Sequence, residues 1–173
     1  MKNREKIRRM TELALLFAIA MIFSFVESRV PTFIPIPGVK LGLCNVVVIF
    51  TLFTLGAPSA ICVSLLRVIL SSILFGNAAA FFYSLAGAIL SLGAMILLGR
   101  LHLFSEIGIS VVGGVTHNVG QLLMAWLILG TGGVMYYLPV LLIAGSIAGA
   151  LIGLLSAYLC KRASHLLTRQ GHR

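Results

Sequence analysis

Six apolar stretches follow one another along the chain, each cut from the next by glycine, proline or a short polar linker. They cover about residues 11–30, 41–55, 59–75, 78–98, 107–129 and 134–159. A helix needs about 20 mostly apolar residues to cross a bilayer. The second and third stretches fall short of that, so they are expected to tilt or to begin within the flanking loops. Charged residues make up 10% of the chain and hydrophobic ones 60%, whereas soluble domains carry about 25% charged residues. The sequence therefore predicts an all-α integral membrane protein with six transmembrane helices in a single membrane domain, residues 1–173.

Charge placement sets the expected orientation. Lys2, Arg4, Lys6, Arg8 and Arg9 precede the first span, Lys161, Arg162, Arg169 and Arg173 follow the last, and Arg100 lies in the linker after the fourth. The opposite side carries only Arg29 and Lys40. Basic loops stay on the cytoplasmic side, so both termini are expected there, in a bacterial cell membrane. The net charge of +9 is accounted for in this way rather than by nucleic acid. The apolar run Leu13 to Val26 ends in ESRVP with no small-residue cleavage site, so it reads as a retained span. Cys44, Cys62 and Cys160 show no ligand spacing and imply neither a disulfide framework nor zinc.

Between the first two spans lies PTFIPIPGVK, expected on the outer side, where Pro31, Pro35 and Pro37 stiffen the backbone and Gly38 frees it before Lys40. A semi-rigid outer lid is expected here.

Polar side chains inside apolar spans are costly and mark cavities, ligands or helix contacts. Gly114, His117, Asn118 and Gln121 recur at i, i+3, i+4 and i+7 of the fifth span and share a face. Ser64, Arg67 and Ser71 share one in the third, and Ser84, Gly87 and Ser91 one in the fourth, beside Tyr83. Two readings stand for such residues: interhelical hydrogen bonds of about 0.6 kcal/mol on average, or a site. Arg67 is different, because a guanidinium at the bilayer centre costs about 2.5–3.5 kcal/mol even on the mild insertion scale. Its compensation is Glu27, a water-filled cavity or an anionic ligand. His117, Asn118 and Gln121 are expected to face inward, toward Arg67, Ser64, Asn45 or ligand. Gly145, Gly149 and Gly153 in the sixth span, four apart, allow close helix packing, and Ala14 and Ala18 repeat the spacing in the first.

The combination ESRVPTFIPIPGVKLGLCN, SLLRVILSSILFGN, FFYSLAGAILSL, THNVGQLL and YYLPVLL, spanning about residues 10 to 160, resembles the Gx transporter family, whose members often carry the label heptaprenyl diphosphate synthase component I. That family is similar to the substrate-binding S components of energy-coupling factor (ECF) vitamin transporters. The resemblance implies a six-helix S-component-like bundle that binds a small molecule near the outer face, under the loop after the first helix. It also implies delivery by toppling on a transmembrane scaffold with two ATPases. Ala14 and Ala18 match the place where small residues contact that scaffold, although the series stops at Ile22.

The synthase label meets a chemical obstacle. Prenyl diphosphate elongation needs magnesium, held by carboxylates, but the chain has no aspartate, and Glu5, Glu12, Glu27 and Glu106 are scattered. No P-loop is present. The chain is thus expected to be no enzyme, to carry no cofactor or metal, and to need a separate ATPase module for uptake. The start Met1-Lys2-Asn3 departs from the nickel and cobalt S components, which place a histidine there. The expected cargo is a small vitamin-like or cofactor-like molecule with an anionic part for Arg67, Lys40 and His117 and an aromatic part for Tyr83, Tyr136 or Tyr137, with Glu27, Asn45, Asn118 and Gln121 completing the site. The alternative is a non-catalytic membrane subunit serving quinone or flavin electron transfer, or heptaprenyl diphosphate synthesis.

Overall fold

A computed structural model describes residues 2–29, 42–101 and 103–170, with side-chain surroundings given to residue 162. The expected lid, with Pro31, Pro35, Pro37, Gly38 and Lys40, lies outside the described residues. The described residues form six helices, α1 Lys2–Arg29, α2 Leu43–Leu55, α3 Ala57–Phe75, α4 Ala78–Leu101, α5 Glu106–Leu129 and α6 Leu138–Gln170, with a 3-10 turn at Gly132–Tyr137 before the last. Among the described residues, five helices are long and apolar enough to cross a membrane, while α2 is a shorter apolar helix. The chain is a multi-pass all-α membrane protein.

Local chemistry sets the breaks. Gly56, at φ +85°, separates α2 from α3 in a conformation that L side chains rarely adopt, and Pro58 stands in the first turn of α3. The Asn77 side chain accepts from the Ala80 N–H at 2.8 Å at the start of α4, and Ser105 caps α5 by accepting from Gly108 N–H at 3.2 Å. The first helix begins well before the apolar run at residue 11, and the last begins at Leu138 because residues 132–137 wind as the tighter 3-10 form.

The helices group in threes. In one set, α1, α2 and α3 pack on one another, with Ala20, Val47 and Val63 as their buried apolar centre. In the other, α5 lies between α4 and α6. Contacts of α2 with α6 and of α3 with α4 join the two sets, and the seam is an apolar cluster that includes Val46, Ala60, Leu92, Met95, Ile109 and Ile152.

The second set is held by missing side chains. A Cβ on Gly145 would sit 2.8 Å from the Gly114 carbonyl oxygen, and one on Gly149 would sit 2.7 Å from that of Ser110. Where no side chains stand between helices, backbones approach closely and dispersion contacts accumulate, which is the main source of helix association in lipid. The glycine series of the sixth span is therefore internal packing. The surface is the reverse of a soluble protein's. Ser64, Ser71, Ser84, Ser110 and Ser156 are buried, while Leu15, Ile22, Ile73, Leu97, Leu127 and Leu151 are exposed, as expected where the surroundings are lipid tails.

Candidate functional site

The site is built on the first turn of α2. This helix has 13 residues, or about 20 Å at 1.5 Å per residue, against a hydrocarbon core of about 30 Å. Its ends do not both reach the headgroups. The free N–H and C=O groups of a helix end cost several kcal/mol each in hydrocarbon unless satisfied. Helix α1 supplies the partners at both ends. At the start, one Glu27 carboxylate oxygen accepts from the Gly42 N–H and, at 3.3 Å, from the Leu43 N–H, while the other accepts from the Cys44 thiol at 3.6 Å. At the finish, Arg9 Nη2 donates to the Leu55 carbonyl at 3.4 Å and to Ser59 Oγ at 3.2 Å. Arg9 and Glu27 lie about five turns apart on α1 and so share a face. Each charge is matched to the α2 dipole, the acid at its positive end and the base at its negative end.

Arg67 reaches the same first turn from α3. Arg67 is 4% exposed, and its Nη2 donates to Asn45 Oδ1 at 3.5 Å, the long limit for such a bond. Its Nε is buried with no partner among the described residues. The Asn45 amide folds back over Gly42, where a Cβ would stand 3.1 Å from Nδ2. Glu27 is as deeply buried, at 5%, but its carboxylate serves α2, and no ion pair joins it to Arg67 among the described residues. Of the compensations considered for Arg67, the pair with Glu27 is thus not formed.

The polar face of α5 divides between two neighbours. Asn118 turns to α6, where Nδ2 donates to the Leu141 carbonyl at 2.8 Å. It does not meet Arg67, Ser64 or Asn45 as expected, because Gly145 leaves room for the amide between the two helices. His117 and Gln121 turn to α4 and pack over Gly87, where a Cβ would lie 2.9 Å from atoms of each. Gln121 is buried and His117 half-buried. Tyr83 is buried on α4. Tyr136, 87% exposed, and Tyr137 sit in the 3-10 turn at the surface. The structure thus gathers Glu27, Asn45 and Arg67 at one turn and spreads Asn118, Tyr136 and Tyr137 elsewhere. Two contributors escaped the sequence reading. Arg9 was absorbed into the basic terminus, and Cys44 was one apolar-run cysteine among three. The spacing of Arg9 and Glu27 on one helix face is the signal for the first.

Asn118→Leu is expected to remove one interhelical bond and to lower stability by about 0.6–1.7 kcal/mol, while leaving ligand affinity at Arg67 unchanged. Unfolding titration in mixed micelles checks the first, and calorimetry in nanodiscs the second.

No curated protein and no solved structure matches the chain. The family model described as heptaprenyl diphosphate synthase component I matches residues 16–159. That match takes in α2 to α5 entire, the second half of α1, most of α6, and every residue at the α2 turn. The chain belongs to the heptaprenyl diphosphate synthase component I family.

Proposed function

We propose that the protein is a non-catalytic, substrate-binding membrane subunit of the S-component type, which takes up a small vitamin-like or cofactor-like molecule with an anionic group and is energised by a separate ATPase module. The observation that carries this reading is Arg67, which is buried and, among the described residues, has one long hydrogen bond and no partner for Nε. A charge so placed in a membrane protein marks a substrate path by default, and an anion would supply the missing acceptor at full charge-assisted strength. The resemblance to ECF S components adds the six-helix bundle and the need for a partner. The bacterial cytoplasmic membrane, with both termini inside, follows from the charge asymmetry.

A second reading is favoured by the family's description: a membrane component working beside a prenyl diphosphate synthase. Both readings share the chemistry of an anion on Arg67 and differ in the partner.

Ala14 and Ala18 separate them. Both are exposed on α1, and at these two small side chains a scaffold helix can approach closely, with exposed Leu15 and Ile22 at the edge of the contact. Ala14→Trp and Ala18→Trp are expected to abolish co-purification with the transmembrane scaffold and ATPases, and any uptake, while ligand affinity of the isolated protein stays within about twofold. Mass spectrometry of tagged pull-downs identifies the partner. A prenyl synthase in place of ATPases selects the second reading, and ATPase capture by both tryptophan variants rejects this face.

A further inference from the structure

Two buried groups of opposite charge are attached to the first turn of α2 without touching each other. Glu27 holds the turn through backbone N–H groups and the Cys44 thiol. Arg67 holds it through Asn45, and its Nε has no partner among the described residues. A helix N-terminus carries roughly half a positive charge, so the turn and Arg67 together amount to about one and a half, of which Glu27 offsets one. The remainder suits a weak anion. A multiply charged ligand adds more negative charge beside a buried carboxylate, and like charges in a low-dielectric interior repel strongly.

Resting on the reading of Arg67 as the anion site, we propose that Glu27 is an internal counter-anion that the ligand's acidic group displaces from the first turn of α2. In the empty protein the carboxylate holds the α2 terminus and ties it to α1. When a diphosphate or similar polyanion binds Arg67 Nε, it also takes the Gly42 and Leu43 N–H groups, which are ready donors for any oxyanion. Glu27 then leaves, the Cys44 thiol loses its carboxylate acceptor, and the α1–α2 contact opens at that end. Glu27 therefore opposes ligand affinity and makes the α1–α2 junction sensitive to occupancy. It is a positioning residue for the empty state, and makes no contact with the ligand.

The test uses inorganic diphosphate and benzoate as probes, by calorimetry on the full chain in lipid nanodiscs. Glu27→Gln keeps a side-chain oxygen for the Gly42 and Leu43 N–H groups, so α2 stays capped. The variant is expected to bind diphosphate about tenfold more tightly than the wild type, with a smaller gain for benzoate. A second readout keeps Glu27 in place. In a Cys62→Ser, Cys160→Ser background, maleimide labelling of Cys44 is expected to speed up when diphosphate is added. Equal or weaker diphosphate binding by Glu27→Gln overturns the proposal, as does Cys44 labelling that diphosphate leaves unchanged or slows. If Arg67→Gln abolishes probe binding while Glu27→Gln has no effect, only the displacement fails. If neither probe binds wild type or Glu27→Gln, the Arg67 anion site fails and the displacement with it.

Discussion

Gly114→Leu is expected to be the most damaging single substitution in the bundle. A Cβ at this position overlaps the Gly145 carbonyl oxygen and stands 3.2 Å from the Gly149 Cα. The obstacle is backbone, which no rotamer change relieves. The larger leucine forces α5 and α6 apart along their length, lengthens the Asn118–Leu141 bond and strains the bond from Ser110 Oγ to the Gly149 carbonyl, now 2.7 Å. Overpacking a tight contact costs about 1–3 kcal/mol, occasionally more, and broken interhelical bonds add to it, so a loss of about 3 kcal/mol or more is expected. Denaturant unfolding in mixed micelles measures it. Gly93→Ala is the control: nothing lies within 4 Å of a Cβ there, and alanine favours the helix by up to about 1 kcal/mol. Equal effects of the two substitutions would mean that α5 and α6 do not pack through these glycines.

Arg67→Gln is expected to separate binding from stability. Glutamine keeps a donor for Asn45 but removes the charge and the Nε that the described protein groups leave unused. Losing the charged partner of a buried anion costs about 2–5 kcal/mol, so affinity for an anionic ligand falls by about 30-fold or more. The fold, relieved of a charge buried in hydrocarbon, is expected to be as stable as the wild type or more so. Calorimetry with the anionic probes and a micelle unfolding curve give the two numbers. Equal loss of binding and stability would make Arg67 a structural residue.

What the sequence disclosed and what it hid follow from range. Helix number and order were legible because apolar length and glycine or proline punctuation are local. The inward placement of Arg67, Ser64 and Ser71 was legible because helical spacing fixes which residues share a face. The partners were not. Gly114, His117, Asn118 and Gln121 lie on one stripe, yet α5 stands between α4 and α6, so Gly114 and Asn118 serve one neighbour and His117 and Gln121 the other. A stripe about a third of the way round a helix is wide enough to meet two helices, and the sequence does not say where the boundary runs. Glu27 was picked out as the acid available to Arg67, but the short α2 leaves buried N–H groups at its start, and these claim the carboxylate. That competition depends on the antiparallel packing of α1 on α2, which no local pattern encodes.

The most direct measurement is native mass spectrometry of the wild type and Arg67→Gln, each released from membranes in mild detergent. The wild type is expected to carry a small molecule with an acidic group, and Arg67→Gln to be released without it, at equal yield of folded protein. A wild type that carries no such molecule even when expressed with its partner proteins, or a variant that carries the same mass at the same occupancy, would contradict the claim that Arg67 holds the ligand.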